Sequence, residues 1–143
     1  MSASADPVRN VAALIDLLDA RIGTPFGWRG KRDCGHFADA AIEAQSGISI
    51  IGELRWNSRR QALAVIAAEG SLEAAMDRRL RRVPPALAQR GDIAGVPDPA
   101  LGIRLMVVEG ATLVGPGSTG LERQSRSVMT IAWDTMSAGR PDE

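Results

Sequence analysis

Cys34 opens the one segment of this 143-residue chain whose residue types and spacing suggest chemistry. Asp33 before it is a good helix N-cap residue, so a helix starting there puts the thiol in the first turn. The positive end of the helix dipole and the unpaired N–H groups of that turn both favour a thiolate. Lys31 and Arg32, just upstream, add positive charge. That is the setting of a nucleophilic cysteine. The same pattern also describes a small apolar side chain packed beside Phe37 and Ala38, the commonest fate of a free cysteine, and spacing alone favours that reading.

A nucleophilic thiol needs a base, and His36 is the single histidine. Two residues along a helix is a rotation of about 200°, which sends the imidazole away from Cys34. There it groups with Asp39, Ala40 and Glu43 on what reads as a solvated polar face. Phe37, Ala38, Ala41, Ile42 and Gln45 share the side of Cys34. One cysteine and one histidine close neither a disulfide nor a zinc site, and no metal or cofactor is expected.

The elements that must position the thiol follow from periodicity. Asp6-Pro7 reads as an N-cap and first-turn proline for a helix over about 7–22, with Val11, Leu14, Ile15, Leu18 and Ile22 on one face and Gly23 as its stop. Thr24 to Arg32 is a Gly/Pro loop carrying Phe26 and Trp28. The helix of Cys34 runs to Gln45, with Gly47 behind it. After an irregular connector over 48–56, Ser58 and Gln61 form a capping box for a helix over about 59–69. Ser71 caps a fourth over about 72–82, ending in Arg78, Arg79, Arg81 and Arg82 and then Pro84-Pro85.

Beyond Arg90 the texture changes to Gly, Pro and β-branched residues. Strands are expected near 92–96, 101–108, 111–114 and 128–133, with a tight turn at Glu109-Gly110. Helices first and an antiparallel sheet second make one α+β domain over 1–143, helical to about 82 and sheet over about 91–134, with a frayed tail from Ser137. Gly115-Pro116-Gly117 lacks a strand-to-helix setting and reads as a turn rather than a phosphate loop.

Bulk properties narrow the function. Seventeen basic and seventeen acidic residues cancel, which disfavours nucleic acid as a partner. No apolar run approaches the roughly 20 residues of a membrane span, and no secretion signal opens the chain. The arginines at 78, 79, 81 and 82 are a possible anion contact, with compensation of a helix C-terminus the favoured alternative. Trp28, Trp56 and Trp133 read as anchors of the core or an interface, and Trp28 would wall any cleft beside Cys34.

Pro25-Phe26-Gly27-Trp28-Arg29-Gly30 followed by Arg32-Asp33-Cys34-Gly35-His36-Phe37 resembles the nucleophile segment of the NlpC-type, papain-like cysteine peptidases. Gln89-Arg90-Gly91-Asp92-Ile93 resembles their entry into the first strand, and Pro99-Ala100-Leu101-Gly102-Ile103 the strand that carries the base histidine. The resemblance covers roughly residues 8–134, and more narrowly the chain looks like short proteins of phage tail gene clusters. It implies a papain-like fold with Cys34 at the nucleophile position and Trp28, Asp33, Ala100 and Val114 around the cleft. It also exposes a departure: the base histidine would fall at Ala100, and the third polar residue near Val114. Asp98 and Thr112, the nearest polar candidates, are poor bases for a thiol.

The expected function is therefore a catalytically degenerate papain-like domain, a structural or assembly component of a phage or phage-like tail. Its partners would be other tail or tail-tip proteins. It would sit in the host cytoplasm during assembly and then in the virion tail. The alternative is an active cysteine hydrolase cutting peptidoglycan amide bonds through Cys34.

Overall fold

Asn10 begins the first helix. The computed structural model describes residues 8–142, so the expected Asp6-Pro7 cap lies outside the described residues. α1 spans Val11–Arg21, and the Asn10 side chain accepts from the Ala13 N–H. Its inward face is rotated from the expected one: Leu14, Leu17 and Leu18 pack on the core, while Ile15 and Ile22 are exposed. A helix this short and apolar has more hydrocarbon than one contact face can cover, and the neighbour α2 selects which part is buried.

α2 spans Cys34–Ser46 and stops at Gly47, whose left-handed backbone (φ 79°) suits a residue without a Cβ. α3, Arg59–Glu69, starts at Ser58, whose hydroxyl accepts from Gln61 N–H. The Gln61 side chain reaches back one residue further than a standard capping box, to the Asn57 N–H at 2.6 Å. α4 is only Leu72–Asp77, shorter than expected. Arg82, expected to end that helix, instead forms β1 with Val83, paired with Trp133 and Ala132. Pro84 disfavours a helical Val83, and Arg81 N–H is drawn to Ser137 Oγ at 2.8 Å.

The six-stranded antiparallel sheet adds β2 (Ile93–Asp98), β3 (Gly102–Val108), β4 (Thr112–Pro116), β5 (Leu121–Ser125) and β6 (Ile131–Trp133), in the order β1-β6-β2-β3-β4-β5. The α+β architecture matches the sequence reading. Two strands were not anticipated, β1 and β5. Leu121-Glu122-Arg123-Gln124-Ser125 is an edge strand without apolar alternation, so the period-two signal is missing. Gly115-Pro116 completes β4 instead of turning, and the loop begins at Gly117. The β3–β4 turn is where Glu109-Gly110 was expected to make it, with Glu109 N–H donating to Thr112 O.

Alternation along the strands splits the core in two. Ile93, Ile103, Leu105, Val107 and Val114 meet α2 and α1 on one face. Ala94, Val96, Met106, Val108 and Leu113 form the other, covered by Ala88, Met129 and Val83. Over that second face Arg126 donates to Pro85 O, Ala88 O and Gly110 O.

The expected fraying from Ser137 is not observed. Ser137 and Ala138 are buried, and Ser137 Oγ both accepts from Arg81 N–H and donates to Asp134 O. A buried polar knot explains the order: Arg9 donates to Gln45 Oε1 (3.0 Å) and Asp92 Oδ1 (2.9 Å), while Gln45 Nε2 and Thr135 Oγ1 both donate to Gly91 O. It ties the N-terminal segment, α2, β2 and the C-terminal segment together.

Candidate functional site around Cys34

The loop before α2 is held by its own side chains. Gly27 and Arg32 bridge as an antiparallel pair, and the Arg32 guanidinium donates to Arg29 O and Pro25 O. A Cβ on Gly27 would stand 2.5 Å from that guanidinium, which would have to shift to admit one. Arg32 is thereby committed to the loop, rather than supporting a thiolate as its sequence position suggested. Phe26 and Trp28 meet edge to face, 5.1 Å between ring centroids.

Asp33 takes extended backbone (φ −84°, ψ 170°) and caps α2, accepting the His36 N–H on Oδ1. Its Oδ2 accepts His36 Nδ1–H at 2.6 Å and Trp56 Nε1–H at 3.0 Å. The indole and imidazole also stack, centroids 4.1 Å apart. His36 is thus buried, 7% exposed, and not on a solvated face. Asp39 is buried too, its carboxylate accepting from Ser49 Oγ and the Ile50 N–H. The connector 48–56 folds back over this side of α2 and supplies those donors, which periodicity within the helix alone does not reveal.

Cys34 is 5% exposed. Burial pushes its thiol up to about 11, opposed by a hydrogen bond from the Leu105 backbone and by Arg104, and reinforced by Asp33 and Asp98. The β3–β4 register reaches only Val107↔Val114, short of Leu105, and the Leu105 N–H donates to the sulfur.

Two cavities adjoin at the thiol. An outer cleft of about 680 Å³ is bounded by Phe26, Trp28, Ala100, Arg104 and Glu122. An inner slot of about 70 Å³ runs between α2, the connector, α3 and α4. Trp28, Cys34 and Leu101 belong to both. Of the residues placed around the cleft by motif, Trp28 and Ala100 line the outer space and Asp33 the inner one. Val114 lines neither; it is fully buried in the core beneath α2. Ala100 sits in an exposed turn, where Asp98 Oδ2 accepts the N–H groups of Ala100 and Leu101. Thr112 donates to Glu109 in the hairpin, outside both spaces.

The four clustered arginines do not form one patch. Arg78 and Arg79 pair with Glu69, Arg81 with Asp134, and Arg82 with Glu73 and Asp77. The sequence reading missed Arg59, Arg104 and Glu122 as cleft residues. Their strand or helix positions carry no motif; only the approach of distant segments brings them to Cys34.

A family model matches residues 9–135. The chain belongs to the family described as a domain of unknown function, DUF6950. The fold of this DUF6950 chain is similar to the crystal structure of the NlpC/p60 domain of the peptidoglycan hydrolase SagA. The TM-score is 0.59 at 19% identity, over 87% of this chain and 98% of that one. Nothing among curated proteins matches the DUF6950 chain. The papain-like, NlpC-type fold expected from the motifs around Cys34 is the fold observed.

Proposed function

We propose that this chain is a papain-like domain that has given up hydrolysis and serves as a structural or assembly component, with a phage or phage-like tail as its setting. One observation carries the non-catalytic part: the thiol at the nucleophile position is buried and held protonated, and the lone imidazole is engaged by Asp33 and Trp56 on another side of the helix. Papain-like turnover needs a base that takes the thiol proton and returns it to the leaving amine. Ala100, at the position the motif assigns to that base, offers a methyl group.

The tail setting is supported by the likeness of the chain as a whole to short proteins of phage tail gene clusters. Partners are then other tail or tail-tip proteins, and the site of action is the assembling particle. No helix among the described residues is long and apolar enough to cross a membrane.

A hydrolase reading has two observations in its favour, the Leu105 backbone bond and the Arg104 charge, both of which favour a thiolate. Burial outweighs them, since the net displacement of the thiol is upward. The test has two arms. Peptidoglycan digests with the wild type and with Cys34→Ala are expected to give identical, uncleaved muropeptide profiles. Mass spectrometry of purified particles from the producing strain is expected to contain the chain. Cleavage lost in Cys34→Ala would overturn the first part, and absence from particles the second.

A further inference from the structure

α3 stands outside the core. Of its eleven residues only Ala62 is buried, and among the described residues neither apolar cluster includes any part of it. The neighbouring α4 sends Leu72 and Met76 into the cluster under α2, and α2 itself buries eight of its thirteen residues.

What lies under α3 is the inner slot. Ala62, Val65 and Ile66 form its wall on that side, with Ala38, Ile50 and Leu72 among the other walls, around a space of about 70 Å³. Apolar atoms that border a gap lack packing partners there and forfeit those dispersion contacts. A helix seated over a gap therefore gains less on closing than one seated in a filled core, and few buried apolar contacts mark a segment that opens at low cost.

Polar fastenings sit at the two ends of the helix. At the start, Asn57 Oδ1 accepts the Gly30 N–H at 2.9 Å, which joins α3 to the loop that carries Trp28. At the end, the Glu69 carboxylate pairs with Arg78 and Arg79, and Glu69 O accepts from Arg78 Nη1 at 2.7 Å. All three side chains are partly exposed, and ion pairs of that kind hold weakly. Directly behind, Gly70 has φ +99°, a region that glycine enters and leaves without steric penalty. Ser58, the extended N-cap, is the other non-helical flank. Element-terminal residues of this kind are where hinge rotation is absorbed.

We propose that α3 is a gate over the Cys34 slot. It swings out as a unit about Ser58 and Gly70 while α2 and the sheet stay folded. Opening joins the slot to the outer cleft along Trp28, Cys34 and Leu101, the residues common to both, and bares the thiol. The gate does not depend on whether Cys34 turns over.

The test is native-state amide exchange of the full chain across low urea, with Cys34 alkylation by iodoacetamide followed in parallel. Amides of residues 62–69 are expected to show a shallower urea dependence than the protected amides of β2, because the gate exposes less surface than global unfolding. Two substitutions act on separate steps. Ala62→Asp puts a carboxylate in the apolar slot that only the open state hydrates, so exchange in 62–69 and alkylation should both rise at least about tenfold. Val108→Ala, on the opposite face of the sheet, weakens the core and should speed exchange in β2 while leaving 62–69 unchanged. If circular dichroism shows Ala62→Asp unfolded, Glu69→Ala replaces it, and the lost clasp should raise both readouts at least about twofold. The same urea dependence in 62–69 as in β2, or equal acceleration of both by Val108→Ala, overturns the gate. Faster exchange in 62–69 with unchanged alkylation overturns its control of the thiol.

Discussion

Asp33 holds the imidazole of His36 at 2.6 Å while capping the helix that carries both residues. The bond links the start of α2 to the connector, because Trp56 donates to the same carboxylate and stacks on the same ring. A histidine two positions from Cys34 is thereby a structural member of a buried polar cluster.

Cys34 should alkylate slowly. With its thiol moved from 9.0 to about 11, its thiolate fraction at pH 8 is about a hundredfold below that of a free thiol. Iodoacetamide kinetics should show a rate that rises with pH up to about 11 and jumps when the chain is denatured at fixed pH. Faster reaction in the native than in the denatured chain would contradict the buried, protonated thiol.

The same displacement has a stability consequence. A folded pKa raised above the unfolded one gives stability that is whole below pH 9.0 and declines as pH rises from there through about 11. The loss is on the order of 3 kcal/mol at most. Denaturation at stepped alkaline pH should show it in wild type and not in Cys34→Ala, measured against each protein's own value at pH 7.

Asp33→Ala removes an N-cap and orphans the side-chain donors of His36 and Trp56. A lost cap costs about 1 kcal/mol and a buried unsatisfied donor about 1–3 kcal/mol. Urea unfolding should place the variant at least about 3 kcal/mol below wild type, with Asp33→Asn in between because it keeps a capping oxygen. A loss under about 1 kcal/mol for Asp33→Ala would show that the cluster is not cohesive.

Gly91→Ala should be more disruptive than its size suggests. Gly91 has φ +93°, and an added Cβ would stand 1.8 Å from Gln45 Oε1 and 2.6 Å from Arg9 Nη1. Both strain and loss of the Arg9–Gln45–Asp92 knot follow, about 2–4 kcal/mol together. Faster amide exchange in residues 135–138 than in wild type is the local readout.

Arg82→Ala tests the role of the arginine cluster. The Arg82 guanidinium holds Asp77 below its usual 3.8, assisted by the Trp133 indole. A depressed folded pKa gives stability that is present above pH 3.8 and lost as pH falls through the folded value. The variant should therefore be less stable than wild type at pH 7, with the gap closing in acid. A gap that persists unchanged at pH 2 would assign the effect to packing over Trp133 instead.

The sequence by itself determined the order of elements, the Asp33 cap that starts α2 at Cys34, the Gly47 stop and the break from helix to sheet after Arg90. These are local: a cap, a left-handed stop and a period are properties of a few adjacent residues. The resemblance it carries implies that Ala100 falls where NlpC-type peptidases have their base. Tertiary structure decided the rest. The connector over α2 turned His36 and Asp39 from surface to buried residues, Pro84 and the Ser137 hydroxyl drew Arg82 out of α4 and, with Val83, into β1, and pairing with β4 made a strand of the polar segment 121–125. Only the folded chain brings Arg59, Arg104 and Glu122 to Cys34 and removes the thiol from water. Burial and cross-chain partners are sums over distant segments, and no window of the sequence contains them.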